Sequence, residues 1–198
     1  VVAVTELDSL LVQRCQANDA AAFNEIVERY KHRVHNYICR MVGSTQDAED
    51  LAQEVFVKAY VNIRSFQSRA TLNTWLFRIA TNLCIDYSRR NKRSTIQKVS
   101  LVRESPDEEG SSEWEVPDER FAPEQTFLNT ELGDRIQFAL DGLPEKLRTV
   151  VVLHDIEGLP YEDIAQIVAA PLGTVKSRLF NARAAMRSRL LPYLQGTA

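Results

Sequence analysis

Between Tyr161 and Arg183 the chain places small polar and basic side chains where they can meet a nucleic acid. Thr174, Ser177 and Asn181 share one face of a helical segment, with Lys176, Arg178 and Arg183 on its flanks. Val175, Leu179, Ala182 and Met186 recur at offsets 0, 4, 7 and 11 and form the opposite, apolar stripe. Short hydroxyl and amide side chains reach base edges in a major groove, and basic flanks hold phosphates. The preceding segment, about Tyr161 to Val168, turns Ile164, Ala165 and Val168 inward, and Ala165 is small where a second helix must cross closely. Ala169-Ala170 makes a turn and Pro171 opens the next helix. The pattern is a helix-turn-helix whose second helix is the reader. The plainer reading is a helical hairpin with a solvated basic face.

A second candidate cluster is His32, His35 and Cys39, at i, i+3 and i+7 of one helical pattern. That face could ligate a metal. No fourth ligand is evident, and solvated histidines explain it better. Cys15, Cys39 and Cys84 lie far apart inside helical patterns, which fits small buried residues in a reducing compartment. No glycine-rich phosphate loop, nucleophile elbow or clustered acid–base set appears, so the sequence reads as a non-enzyme with no cofactor.

The elements that must carry these residues are all helical. A first helix is expected at about Thr5–Ala17, with Leu7, Leu10, Leu11 and Cys15 on one face, and Asn18-Asp19 caps the next. Phe23, Ile26, Val27, Tyr30, Val34, Tyr37, Ile38 and Met41 make a long amphipathic helix that Gly43 ends. Ser44 to Asp47 resembles a capping box and opens a third helix with Leu51, Ala52, Val55, Phe56, Ala59 and Ile63 inward. After a polar loop, Arg64 to Ala70, Thr71 caps a fourth helix that buries Leu72, Trp75, Leu76, Ile79, Ala80, Leu83, Cys84 and Tyr87. Periodicity fades from about Asn91 to Ala122, where Ser105 to Ser112 is acidic and turn-rich, with Trp114, Val116 and Phe121 as anchors. Pro123 starts a helix with Phe127, Leu128, Leu132, Ile136, Ala139 and Leu140. After Gly142 and Pro144, another carries Leu147, Val150, Val151 and His154 and stops at Gly158.

The chain of 198 residues is 44% hydrophobic and 26% charged, a globular composition, and no apolar run approaches a membrane span. Its start has no basic flank and does not read as a signal peptide. The net charge of −3 is distributed unevenly. Residues 1–98 carry 14 Lys+Arg against 10 Asp+Glu, residues 99–133 carry 2 against 10, and residues 134–198 carry 8 against 7. Acid is absent from Arg89 to Arg103 and from Pro171 to Ala198, and such local patches, rather than net charge, attract phosphate.

Three ordered motifs add a family resemblance. Asp47-Ala-Glu-Asp-Leu-Ala-Gln-Glu-Val-Phe-Val-Lys-Ala-Tyr60 is similar to region 2.2 of the extracytoplasmic-function sigma factors of the sigma-70 family. Thr74-Trp-Leu-Phe-Arg-Ile-Ala-Thr-Asn82 resembles regions 2.3 to 2.4, and Leu159 to Ala165 with Gly173 to Arg178 resembles region 4.2. Order and spacing match from about Leu7 to Leu191. The resemblance implies an all-α protein of two small helical domains joined by an acidic flexible linker, with region 2 over 5–93, linker over 94–122 and region 4 over 123–194.

It also implies roles. Asp47, Glu49, Asp50, Gln53 and Glu54 would dock on the β′ clamp coiled coil of core RNA polymerase, with the β flap as a second contact. Phe66, Ser68, Arg69, Arg78, Asn82, Arg89 and Arg90 would capture an unpaired −10 base and hold its strand, with Lys92 and Arg93 on phosphates. Thr174, Lys176, Ser177, Arg178, Asn181 and Arg183 would read the −35 element. Trp75 is assigned to the core by its spacing; Phe66, in the loop, stays open between core and base stacking. A cytoplasmic location, promoter DNA as ligand, a stress regulon and an anti-sigma partner are further implications. The acidic linker resembles the family's tether through the polymerase cleft, although its composition fits a plain spacer equally.

The chain departs from the family pattern in places. Gln67-Ser68 replaces the Gly common after the loop Phe, Pro160 replaces a Ser cap, Ala169-Ala170 replaces a more usual turn pair, and Asn181 stands where some members carry a basic residue. The captured −10 base and the match to a GGAAC-like −35 element are open on these grounds. The alternative reading is a DNA-binding regulator with a helical sensing or dimerisation domain, which would bind duplex operator unaided and not associate with core polymerase.

Overall fold

The computed structural model describes residues 2–67, 70–101 and 123–195, with backbone alone for 2–5, 92–101, 123–130 and 194. Its elements are α1 (Val2–Gln16), α2 (Ala20–Val42), α3 (Thr45–Asn62), a 3₁₀ turn (Ile63–Ser65), α4 (Leu72–Leu101), α5 (Pro123–Asp141), α6 (Glu145–Val151) continued by a π turn (Val152–Ile156), α7 (Tyr161–Ile167) and α8 (Leu172–Leu194). No strand occurs among the described residues. Ser68, Arg69, the acidic stretch with Trp114, Val116 and Phe121, and the side chains of Lys92, Arg93, Phe127 and Leu128 lie outside what is described.

The long second helix is the axis of the N-terminal half. Asp19 caps it, its carboxylate accepting from the amides of Ala21 and Ala22, and Gly43 closes it at a left-handed φ of 75° while its N–H bonds the Cys39 carbonyl. Ala22, Phe23, Ile26, Tyr30, Val34, Tyr37, Ile38 and Met41 are buried on one face. Val27, expected among them, is only partly buried. Tyr37 is fully buried, and its hydroxyl pairs with Thr81 of α4 at 2.7 Å. Burial pushes that phenol well above its ordinary range, so it stays neutral. α1, α3 and α4 pack around α2.

Three expectations need correction here. The inward face of α1 is Asp8, Leu11, Val12 and Cys15, whereas Leu7 and Leu10 are exposed. The face rotates because Asp8 is drawn inward: its carboxylate accepts from the Tyr30 hydroxyl at 2.5 Å and from Arg29 at 3.1 Å. A buried carboxylate is tolerable only with such partners. On α4, Trp75 and Ile79 are half-buried rather than interior, and Phe77 and Thr81 are buried in addition to the expected leucines. The backbone of α4 also stays helical to Leu101, through the stretch where the hydrophobic period fades.

In the C-terminal half α8 packs on α5, α6 and α7. Val175, Leu179 and Ala182 are buried with Ile164 and Ile167 of α7, and Ala165 and Val168 are partly buried. Leu132 of α5, expected inside, is exposed. The turn into α8 runs through Ala169 at φ 47°, a left-handed conformation that a small side chain enters at a cost of roughly 1 kcal/mol. Cys15 and Cys84 are buried, and burial pushes the Cys84 thiol up to about 12.

The two halves share one continuous apolar cluster and also touch through polar groups. Arg148 donates to the Met41 carbonyl at 2.8 Å, and Gln137 donates to the Arg40 carbonyl at 3.3 Å. Donors from α5 and α6 thus reach carbonyls in the last turn of α2, which a helix end leaves unpaired. Arg33 bonds the carbonyl and carboxylate of Glu157 at 3.2 Å, the Asn73 side chain at 3.2 Å, and lies over the Phe77 ring. Burial raises the Glu157 carboxyl and Arg33 opposes that rise. Glu157 is buried in this pair but Arg33 is 42% exposed, so solvent screens it and losing the pair costs on the order of 1 kcal/mol. Arg33→Glu adds repulsion by setting a second carboxylate against Glu157 and is expected to loosen the halves, raising the radius of gyration in small-angle scattering by up to about a quarter, the value for modules of roughly 12 Å radius that separate. Glu157→Arg added to that chain should restore the compact value.

Candidate nucleic-acid and polymerase interfaces

The first candidate surface is a cleft of about 470 Å³ between the end of α3 and the face of α4, lined by Lys58, Asn62, Ser65, Phe66, Gln67, Trp75, Arg78, Ile79 and Asn82 among others. Phe66 and Trp75 stand 5.0 Å apart, centroid to centroid, at 42°. Both rings are half-buried and both border the cleft, so each can pack and still offer surface to a base. Phe66 is thus partly packed and borders the cleft, and Trp75, expected in the interior, stands at the cleft wall. Arg78 and Asn82 are exposed and line the same cleft, as their one-turn spacing suggested.

The loop that carries Phe66 is held at both ends. It begins at the 3₁₀ turn, where the Phe66 amide donates to the Ile63 carbonyl and the Ser65 hydroxyl donates to the Asn62 carbonyl. It finishes at the Thr71 cap, whose hydroxyl accepts from the Thr74 amide at 3.1 Å. Further along α4, Arg89 pairs with Asp86 at 3.6 Å, and Arg90 is exposed. Lys58 and Asn62 form the α3 wall. The sequence reading omitted them, although both lie on the polar side of the α3 stripe.

The second surface is the outer face of α3. Glu49, Asp50 and Gln53 are exposed there, and Glu54 is partly so in an ion pair with Lys58 at 3.0 Å. Asp47 is placed differently. It is partly buried, its amide donates to the Ser44 cap, and its carboxylate accepts from Tyr87. Beyond the acids the same face continues with Val57 and Val61, 62% and 70% exposed. Sequence reasoning missed these because an apolar residue on an amphipathic helix reads as interior. Their offsets of 7 and 11 from Asp50 were the available signal.

The third surface is α8. Ser177 and Asn181 are exposed, Thr174 is partly so, and the Ser177 hydroxyl donates to the Thr174 carbonyl at 3.0 Å. Arg178 is half-buried beside them. Lys176 and Arg183 sit further round the helix. The Lys176 ammonium lies 5.7 Å from the Tyr161 ring centroid, and Arg183 pairs with Asp155. Phe180 was not among the expected contacts, since its apolar side chain gives no sign of facing outward. It is 75% exposed beside Lys176 and Arg183. An outward aromatic on a reading helix can meet a thymine methyl.

His32 is exposed on α2, and His35, partly buried, lies 3.6–3.7 Å from the Cys39 sulfur. Among the described residues no three His, Cys, Asp or Glu side chains converge as metal ligands.

These surfaces fall within segments that known proteins share. The family description "Sigma-70 region 2" matches residues 26–94, and "Sigma-70, region 4" matches residues 133–186. The ECF RNA polymerase sigma-E factor of Escherichia coli K12 is 36% identical over 95% of this chain and 96% of its own length. The RNA polymerase sigma-H factor of Pseudomonas aeruginosa is 36% identical over 96% of this chain and 97% of its own. Among solved structures, the sigma factor RpoE of Bartonella quintana, in complex with the anti-sigma factor NepR, is 25% identical with a TM-score of 0.62, covering 85% of this chain and 96% of that one. Matched over nearly their whole length to such relatives, and carrying both regions in order, these residues form a sigma factor of the extracytoplasmic-function group of the sigma-70 family, and the chain belongs to that family.

Proposed function

We propose that the two halves divide promoter recognition between the cleft of α3 and α4 and the helix-turn-helix of α7 and α8, with the outer face of α3 engaging polymerase. As a sigma factor the chain is a non-catalytic initiation factor that binds core RNA polymerase and directs it to −35 and −10 promoter elements. The observation that carries the residue-level reading is the cleft: two half-buried aromatic rings beside exposed Arg78 and Asn82. A base taken out of a duplex needs a stacking surface, edge hydrogen bonds and a cation for the strand, and this cleft supplies all three. Residues 5–93 then act as the region 2 unit and residues 123–194 as region 4, and the stretch between them as the tether. No helix among the described residues is long and apolar enough to cross a membrane, which suits work in the cytoplasm. A homologue of known structure is bound by an anti-sigma factor, and control of this chain by such a partner follows by analogy.

Polymerase docking through α3 combines charge with apolar area. Asp50 and Gln53 supply polar contacts, and Val57 and Val61 supply surface that is exposed in the free chain. Asp50→Arg and Val57→Asp are each expected to weaken association with core polymerase about tenfold or more, roughly 1.4 kcal/mol. Competition binding against unmodified chain measures this, with unchanged helical content as the control for folding. Equal competition by both variants contradicts the docking assignment.

On α8 the expected effects separate by chemistry. Lys176→Ala should weaken −35 duplex binding across sequences and reduce the salt slope by about one. Ser177→Ala and Asn181→Ala should change which base is preferred, by roughly 1–3 kcal/mol at the position read. Phe180→Ala should relax preference at a thymine. Binding titrations of duplexes varied one base at a time, at two salt concentrations, measure all four.

A further inference from the structure

One side chain of α1 also ties down the loop that presents Phe66. The Gln16 carboxamide donates to the Phe66 carbonyl at 2.9 Å and to the Ile63 carbonyl at 3.3 Å. These two acceptors bracket the 3₁₀ turn that delivers the loop into the cleft. Gln16 itself is exposed, lies outside the cleft lining, and precedes the stretch matched to region 2. It is the last residue of α1. Its position is fixed by the rest of that helix. Asp8, two turns earlier, is locked to Tyr30 and Arg29 of α2, and Arg14 is paired with Asp19 at 2.8 Å and Glu25 at 2.9 Å.

We propose that Gln16 is a positioning residue for −10 capture: its amide protons tie the Ile63 and Phe66 carbonyls to α1 and so hold the Phe66 ring against Trp75, open to an unpaired base. The proposal rests on the reading of the cleft as the −10 site. Its physical content is preorganisation. A loop already held in its binding geometry loses less freedom when the strand arrives, so affinity is higher without Gln16 touching DNA. Both protein atoms that Gln16 contacts are acceptors, so only a donor can do this work. A carboxylate of the same shape would face two carbonyl oxygens and repel them. An ammonium of similar reach would donate to them.

The chemistry dictates an order of variants. Gln16→Glu and Gln16→Ala are expected to lower the affinity of the full chain for a single-stranded −10 oligonucleotide about five- to tenfold, since each hydrogen bond contributes about a factor of five. Gln16→Lys should recover most of the loss. Asp8→Asn, which loosens α1 from Tyr30 at a distance, should shift the affinity in the same direction by less. Binding of a −35 duplex by the same chains should not change, because α8 lies in the other half. Trp75 gives the local readout: its emission should change on adding the oligonucleotide to the native chain, and that change should shrink in Gln16→Glu and return in Gln16→Lys. Trp114 is replaced by Phe throughout so that Trp75 alone reports.

Native-like oligonucleotide affinity in Gln16→Glu, or failure of Gln16→Lys to exceed Gln16→Ala, overturns the proposal. So does parallel loss of −35 duplex binding, which would mark a general loss of structure. If the native chain binds the oligonucleotide with no response from Trp75, the reading of the cleft is at fault instead, and the proposal falls with it. The two failures are therefore distinguishable.

Discussion

Burial of one face of α2 is the constraint on which the rest of the molecule depends. Eight side chains of that helix are buried, and α1, α3, α4, α5 and α6 all pack against it. Each fully buried apolar side chain contributes roughly 1.5–3 kcal/mol, so the helix is a major source of stability in the N-terminal half. Most polar groups admitted to its interface are paired, the buried Nε of Arg148 being an exception. Tyr37 meets Thr81, Tyr30 meets Asp8, and the carbonyls of Arg40 and Met41 meet Gln137 and Arg148. Because α2 fixes its neighbours, their outer faces are free to be polar, and those are the faces that the proposed function uses.

The working surfaces share a physical character. Each is a helix face or a cleft bounded by helices, and the cleft adds the short loop that carries Phe66. The cleft presents two aromatic rings, α8 presents short polar groups, and α3 presents acids running into valines, and in the proposed division of labour these meet an unpaired base, a duplex and a protein partner. The cations near these surfaces are partly engaged within the chain: Arg183 with Asp155, Arg89 with Asp86, and Lys58 with Glu54. Exposed pairs of this kind are worth little and exchange readily for phosphate.

Much of this was legible in the residues. The 3.6-residue period placed α2, α3 and the α7–α8 pair, Asp19 and Gly43 marked helix ends, and the stripe of Val175, Leu179 and Ala182 gave the outward face of α8 by subtraction. What the period could not supply was the effect of pairing across elements. Asp8 turned α1 by forming a bond to Tyr30 that lies 22 residues away, and no local pattern announces it. Trp75 and Ile79 read as interior because a cleft wall and a core have the same period. Val57, Val61 and Phe180 were passed over for the same reason in reverse, since an outward apolar side chain at a binding surface is indistinguishable by type from one that faces the core. Gln16 carried no signal at all, its partners being backbone carbonyls 47 and 50 residues further on.

Promoter-directed initiation is the activity to which the proposal assigns these surfaces, and it can be measured directly. Purified core RNA polymerase should be supplied with a library of random upstream sequences, with and without this chain, and the 5′ ends of the transcripts sequenced. The expected result is a set of start sites that appears only with the chain and shares a −35 and a −10 element at fixed separation. Identical transcripts with and without it, with the chain in excess over polymerase, would contradict the central claim.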